Sequence, residues 1–447
     1  MKYLDLVKKV VKKSKYGSYF FSLFPKNVLY TESYDQVVNL HKLYRKGETA
    51  FVEIFLRERL VDVLKNALIY VPWYKNNVQI DVNSITKENV YEKLHEFPFT
   101  SKQIVMENYN DFISTKYPRS QLKIGSTEGT TGQGIMIANA RREVGVQMAS
   151  FEVASRKFKF DFIKTKTIRI GLEALKTIDE YPCQRCGNRL LVSPIHLVPK
   201  YFNMIYNDCV KFEAEAIHSY PTLLFLLAQY INDNNLEPIK VKMLQLSSDT
   251  FLWQHYKLFK KVFGNPEILC SYNMSEHVAL GWAEVNETDK SIGYQLDNIY
   301  AYNENLEDEY GRKEIIGTSY WNEAMPFIRY RTQDYGVIDD KGFISHLDGR
   351  GQNYLTTKTG EKIAGISILS PEDYIWDYIT AFQFVQQEKG KIIIRLVTKR
   401  CYTDEIGQRM IGDMEKKWPG LFDYSVELVD EIQRGRSTKI QSIIVEI

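Results

Sequence analysis

Cysteine is scarce in this chain: five residues are scattered along 447, an odd number with no framework spacing. That usage excludes a disulfide-stapled secreted domain and fits a reducing compartment, so a cytoplasmic location is expected. No charge of one sign dominates. Lys and Arg number 58 against 56 Asp and Glu, a net of +2, which removes any global electrostatic case for nucleic acid as a partner. Long apolar runs are also missing. The most apolar, "PTLLFLLAQYI" at 221–231, is too short to span a bilayer and predicts a buried helix. Lysines run through the N-terminal segment and leave no apolar centre for a signal peptide. The sequence has no Walker A lysine, dinucleotide fingerprint, G-x-S-x-G elbow or H-E-x-x-H helix, so the function classes those motifs mark have no support.

What is present is a globular composition, 44% hydrophobic and 26% charged, in a chain long enough for two or three domains. "MKYLDLVKKVVKKSK" places Tyr3, Leu6, Val7, Val10 and Val11 at helical spacing among lysines. Such a helix either docks on an anionic membrane surface or packs on its own domain with a solvated lysine face. Residues 1–95 read as mostly helical, with "FVEIFLRERLVDVLKNALIYV" stopping before Pro72. Downstream, "TIRIGLEAL" and "KMLQLSS" predict strands, while "CVKFEAEAIHSYPTLLFLLAQYI" predicts one or two helices interrupted near Pro221. The alternation predicts a layered α/β domain over 1–349. After the Gly-rich "GRGQNYLTTKTGEKIAG", residues 350–447 predict a small α/β domain: the hairpin "AFQFVQQEKGKIIIRLVT", the helix "DEIGQRMIGDMEKKW", and strands in "YSVELVDEI" and "SIIVEI".

Six stretches pair special backbone residues with reactive side chains. "IGSTEGTTGQGIMI", 124–137, carries four glycines and four hydroxyls, the composition of a phosphate cradle or of a flexible turn. Glu128 stands in its middle with no Lys or Arg between Gly125 and Gly134. In "SYNMSEHVALGW", Tyr272 could stack on a planar base and Glu276 could hold a hard cation such as Mg²⁺; the same residues suit a strand end followed by a helix capped by Ser275. In "MPFIRYRTQDYG", Asp334 sits where a strand runs into a turn, fit to accept hydrogen bonds from vicinal hydroxyls or to pair structurally with Arg329 or Arg331. "LDGRGQN" sets Arg350 between Gly349 and Gly351 as a hinge with a cation or as a solvated linker. "RGRSTKIQSIIV" carries Lys439 in a cationic loop running into a strand. "CQRC", Cys183 to Cys186, is half of a zinc ribbon, with Cys209 and His196 as further ligand types, or a pair of ordinary loop cysteines.

In this order the stretches resemble the adenylate-forming superfamily, and more closely its phenylacetate-coenzyme A ligase branch, including relatives in capsular polysaccharide gene clusters. "LKNALIYVPWYKNN" and "FPFTSKQIVMENY", with Lys102, extend the resemblance over nearly the whole chain, and "IRYRTQD" is its most specific piece. The resemblance implies a large N-terminal domain and a small mobile C-terminal one. It implies an ATP-dependent ligase that activates a small-molecule carboxylate as acyl-adenylate and passes the acyl group to a thiol or amine, with ATP, Mg²⁺ and coenzyme A as cofactors. Residue by residue, it puts Thr127, Gly129, Thr130, Thr131 and Gly132 on the β- and γ-phosphates, and Ser247, Ser248 and Asp249 against the adenine on which Tyr272 stacks. Within Y-x-x-S-E it includes Ser275 and gives Glu276 the Mg²⁺. Asp334 takes the ribose hydroxyls, Arg350 the hinge, and Lys439 is the catalytic lysine. Departures from the family pattern are Glu128 for a hydroxyl residue, Gly134 for proline, Asn273 for glycine, Asp249 for glutamate, and Gln352 and Asn353 where acids are common. They leave an alternative, a catalytically inactive nucleotide-binding or scaffold relative.

Overall fold

The computed structural model describes residues 23–446 apart from 25, 127–134, 159, 162–163, 175–176, 348, 351–353, 365–372 and 433–442. The Lys-rich segment 1–15 therefore lies outside the described residues. The chain opens with helices α1 (Lys26–Tyr30), α2 (Glu32–Arg45), α3 (Thr49–Tyr70), α4 (Pro72–Asn77), α5 (Val90–His95) and α6 (Lys102–Glu107). Helix α3 buries Val52, Leu56, Leu60, Val63, Leu64 and Ala67, a stripe at three- and four-residue spacing. It stops where expected. Val71 is extended, as the residue before a proline prefers to be, and Pro72 supplies the first turn of α4.

Strands β1 (Lys123–Ser126) and β2 (Met136–Asn139) pair antiparallel and bracket the Gly/Thr stretch. Then follow α7 (Arg141–Ser155), β3 (Thr167–Ile170), β4 (Cys183–Cys186), β5 (Arg189–Val192), α8 (Pro199–Phe212), β6 (Ala216–Ser219), α9 (Pro221–Asp233), β7 (Met243–Ser247), α10 (Trp253–Val262), β8 (Glu267–Asn273), β9 (Leu280–Asn286) and β10 (Ser291–Leu296). Next come β11 (Ala301–Glu307), β12 (Lys313–Ser319), β13 (Tyr330–Tyr335), β14 (Phe343–Ile344) and β15 (Gly349–Arg350). Among the described residues nine strands form one sheet in the order β14-β10-β9-β8-β7-β6-β3-β5-β4, with β5, β3, β6, β7 and β8 parallel. One face packs on α8, α9 and α10 through Ile168, Ile217, Leu244, Leu246 and Cys270. A second, antiparallel sheet has the order β11-β12-β13-β15.

The 209–231 region departs from expectation. It holds helix, strand and helix rather than helices alone, because Glu213 adopts a left-handed conformation (φ 49°) that ends α8, and Ala216–Ser219 then pairs in parallel with both β3 and β7. Pro221 interrupts nothing: it is the first residue of α9, where its missing N–H costs no hydrogen bond. Ser275 likewise caps no helix, since β8 turns directly into β9.

The last part of the chain builds β16 (Tyr354–Thr356), β17 (Lys362–Ala364), the hairpin β18 (Ile379–Glu388) and β19 (Lys391–Thr398), α11 (Asp404–Lys417), β20 (Asp423–Leu428) and β21 (Ile443–Val445). The order β20-β19-β18-β21 covers a core of Phe384, Ile392, Ile394, Leu396, Met410 and Phe422. The hairpin, helix and two strands are those the sequence pattern predicts.

A buried carboxylate network ties the helical region to the base of the β1–β2 hairpin. Glu143, in the first turn of α7, accepts the backbone N–H groups of Ala140 at 2.6 Å, Glu323 at 3.0 Å and Ala324 at 3.1 Å. Glu323 meets Arg59 at 2.9 Å, Arg142 at 3.2 Å, Lys116 at 3.2 Å and the Tyr117 hydroxyl at 2.9 Å. These partners outweigh burial and hold the Glu323 carboxyl at about 2, whereas burial outweighs the three backbone donors and pushes Glu143 up to about 8. A carboxyl raised from 4.5 stabilises the fold fully below about pH 4.5 and loses that contribution as pH rises through about 8. The urea midpoint of the wild type is therefore expected to fall more between pH 5 and pH 8.5 than that of Glu143→Gln, which has no proton to release there; parallel profiles would contradict the assignment.

Candidate active site

Parallel α/β sheets bind ligands at the carboxyl ends of their strands, and here the ends of β6, β7 and β8 lie side by side. The turn after β7 carries Ser248 and Asp249. Ser248 has φ 68°, a conformation that a non-glycine residue holds only under constraint. Asp249 accepts from the Thr222 hydroxyl at the start of α9 and from the Thr250 N–H at 2.8 Å, so its carboxylate shapes this turn.

The end of β8 with its following turn is joined to strand β13 by two hydrogen bonds. The half-buried Tyr272 donates its hydroxyl to Asp334 Oδ2 at 3.0 Å, and Tyr330, four residues before Asp334, donates to Glu276 Oε1 at 3.2 Å. Both carboxylates are buried, Asp334 to 7% exposure and Glu276 to 8%. Tyr272 also rests edge-on against Tyr294, with ring centroids 6.1 Å apart. The register β13–β15 sets Asp334 directly opposite Arg350. Tyr272, Glu276, Asp334 and the Arg350 backbone are thus brought into one neighbourhood, with Ser275 exposed on its rim. Thr127, Gly129, Thr130, Thr131, Gly132 and Lys439 lie outside the described residues.

The structural pairing of Asp334 with Arg329 or Arg331 does not occur. Arg329 holds Glu304 through Nε at 2.8 Å and Nη2 at 3.1 Å, and Arg331 holds Glu314 at 2.8 and 2.6 Å. Strand β13 needs both arginines turned outward to these acids so that Tyr330 and Asp334 can face the β8 turn. The N-terminal motif comes to the same strand: the Thr100 N–H donates to Arg329 O at 3.1 Å and the Arg331 N–H to Thr100 O at 2.8 Å, just before Lys102 begins α6.

The sequence pattern marks neither Tyr330, one aromatic among many in the chain, nor Thr222, which lies in an apolar helix. Strain was also invisible: His277 (φ 59°), Arg329 (φ 46°) and Gln333 (φ 63°) join Ser248 in the left-handed region, flanking Glu276 and Asp334. Composition carries no mark of this, because none of the four is glycine or asparagine.

The cysteine pair is arranged otherwise than a ribbon needs. Cys183 and Cys186 stand at opposite ends of β4 and, three residues apart on a strand, point to opposite faces, Cys183 buried and Cys186 half-buried. His196 is buried with Nε2 against Ile178 O at 3.2 Å. Among the described residues no three His, Cys, Asp or Glu side chains are grouped to hold a metal, and no helix is long and apolar enough to cross a membrane.

Residues 355–446 match the family model described as the CapK C-terminal domain. Over 75% of its length the chain is 20% identical to Protein CapK of Staphylococcus aureus, covering 75% of that protein. It is 24% identical to the phenylacetate-coenzyme A ligase of Pseudomonas putida over 83% of this chain and 88% of the ligase. Among solved structures, 2-hydroxyisobutyryl-CoA ligase in the postadenylation state, in complex with 2-HIB-AMP, superposes with a TM-score of 0.64 at 12% identity, over 89% of this chain and 90% of that one.

Proposed function

From a chain with the adenylate-forming ligase fold, related in sequence to CapK and to phenylacetate-coenzyme A ligase, we infer an ATP-dependent carboxylate ligase. The observation that carries this reading is the pair of bonds Tyr272–Asp334 and Tyr330–Glu276, which hold two buried carboxylates where the end of β8 and its turn meet β13. These are groups a Mg²⁺-nucleotide can use: a π face for the base, a carboxylate for the ribose hydroxyls, and a second carboxylate to hold the cation that neutralises the phosphates.

In the proposed reaction the substrate carboxylate attacks the α-phosphorus of ATP, a P–O bond forms, and pyrophosphate leaves. A thiol or amine then attacks the acyl carbon and releases AMP. Tyr272 stacks the adenine beside the Ser247–Asp249 turn, and Asp334 holds the ribose. The stretch containing Thr127, Gly129, Thr130, Thr131 and Gly132 holds the β- and γ-phosphates, and Lys439 meets the charge that grows at the α-phosphate. Glu276, a buried carboxylate with Tyr330 on one oxygen, suits Mg²⁺, which is commonly bound by one protein carboxylate together with substrate phosphates. Bound there, the ion would neutralise phosphate charge. Coenzyme A and an amine both remain acceptors of this scheme; the phenylacetate ligase relative favours the former.

We place the division between a large and a small domain at residues 349 and 350, with the small one rotating between the half-reactions. Any such rotation has to break the contact of Lys399 Nζ with Asp233 at 2.8 Å and the edge-on stack of Trp376 on Phe225 at 5.0 Å, both across that division.

Calorimetric titration with Mg²⁺-ATP tests the nucleotide site. Saturable binding is expected, weakened by roughly three- to tenfold in Tyr272→Phe, which keeps the stacking ring but loses a hydrogen bond of about 1 kcal/mol. No saturation at millimolar ATP would contradict the reading.

A further inference from the structure

Three polar side chains lie in one register row of the parallel sheet, beyond the residues assigned above. Arg169 of β3 is opposite His218 of β6, and His218 is opposite Gln245 of β7. Register partners in parallel strands share a face and neighbouring strands are about 4.8 Å apart, so the three form a strip roughly 10 Å long. On the same face, the row below is Thr167, Ala216 and Met243, and Ala216 and Met243 join Phe160 and Leu269 in an apolar cluster. The row above holds Ser247 and leads into the Ser248–Asp249 turn. The strip is therefore a polar band between an apolar floor and the proposed nucleotide site.

This band is short of partners. Arg169 Nε and Nη1 and Gln245 Oε1 are buried and, among the described residues, neither donate nor accept a hydrogen bond. Glu173, the acid whose charge acts on Arg169, is exposed and paired with Arg189 at 3.5 Å. Gly171 makes room for the guanidinium: a Cβ there would stand 3.2 Å from Arg169 Cζ and Nη2. Burial, with the charges of Arg169 and Arg189, drives the His218 pKa well below 6.5, so the imidazole is neutral and offers one donor and one acceptor. A desolvated guanidinium with open donors is costly unless an anion meets it. Arg is suited to carboxylates in particular.

We propose that this strip is the polar wall of the acyl subsite and that the acid activated here is a dicarboxylate, whose distal carboxylate pairs with Arg169 beside His218 and Gln245. The proposal rests on the ligase reading, which supplies the first carboxylate's role. Its chemistry separates substrates by charge rather than by length: an acid with a neutral tail leaves Arg169 unpaired.

The test is calorimetric binding of chain-matched pairs in the presence of AMP: butanoate against butanedioate, pentanoate against pentanedioate, and hexanoate against hexanedioate. At least one dicarboxylate is expected to bind about tenfold to a hundredfold tighter than its partner, the scale of a hydrogen-bonded charge. Arg169→Gln should erase that preference, and Arg169→Lys, which keeps the charge without the planar donors, should keep a reduced preference. The Lys variant decides if the Gln variant fails to fold. Equal binding within every pair, binding of no dicarboxylate, or a preference that survives Arg169→Gln overturns the proposal. Pyrophosphate exchange run in parallel separates the two readings. Exchange with monocarboxylates alone sinks the dicarboxylate assignment and keeps the ligase; Arg169-dependent binding of a dicarboxylate without exchange keeps the subsite and sinks the ligase.

Discussion

Lys439→Ala is expected to lower carboxylate-dependent pyrophosphate release by at least about a hundredfold, with the urea midpoint unchanged. Attack on the α-phosphorus concentrates negative charge on its oxygens, and removing one donor aimed at such charge costs on the order of 10²–10³ in rate. Lys439 is assigned by its place in the "RGRSTKIQ" stretch, within the segment that matches the CapK C-terminal domain and just before β21 pairs with β18. The second half-reaction provides the internal control. Transfer from a chemically prepared acyl-adenylate to the acceptor needs no charge at an attacked phosphorus, and it should proceed in the variant at close to the wild-type rate. Undiminished pyrophosphate release in Lys439→Ala would remove the assignment.

The second large effect is expected at Asp334. Asp334→Ala should raise the KM for ATP by roughly tenfold to a hundredfold, since hydrogen bonds to a charged acceptor contribute about 1.5–3 kcal/mol. Two losses combine: the ribose hydroxyls lose their acceptor, and the Tyr272 hydroxyl, 3.0 Å away, loses the partner that orients its ring. Asp334→Asn keeps an acceptor oxygen and should fall between the wild type and the Ala variant. The carboxylate KM should change far less than the ATP KM. A variant that raised both equally would place Asp334 in general folding of the site rather than in nucleotide binding.

The elements most readable from sequence are those whose local pattern and tertiary environment agree. Helix α3 combines a buried stripe with a proline stop, and the β18–β19 hairpin combines apolar strands with a tight Lys389–Gly390 turn in which Gly390 takes φ 74°. Strand β6 went unread because "AIHS" is four residues long, lies between two strong helices and is held extended by parallel pairing on both sides, a contact no local window contains. At the candidate site, Tyr272, Glu276 and Asp334 are legible as residue types in an order that resembles the family's. Their mutual geometry is not, because it depends on Tyr330 facing inward while Arg329 and Arg331 pair with Glu304 and Glu314, acids from β11 and β12. Nothing in "TIRIG" singles out Arg169: its surroundings come from Gly171, which leaves room for the guanidinium, and from His218 opposite it in the register.

Glu128 bears directly on the central claim. It lies outside the described residues, in the stretch the family resemblance assigns to phosphate, and a carboxylate facing a triphosphate is repulsive. A working ligase needs Glu128 either turned outward or met by a cation; if it is turned outward, Glu128→Ser leaves the ATP KM within about threefold of wild type, whereas a larger change in KM would place it at the phosphates.

The most direct measurement is Mg²⁺-dependent exchange of labelled pyrophosphate into ATP by the full chain across mono- and dicarboxylic acids, with hydroxylamine added in parallel to trap acyl-adenylate as hydroxamate. The account predicts acid-dependent exchange and hydroxamate formation for at least one acid, both lost in Lys439→Ala. ATP binding without exchange or hydroxamate for any acid would contradict it and leave a nucleotide-binding protein without ligase chemistry.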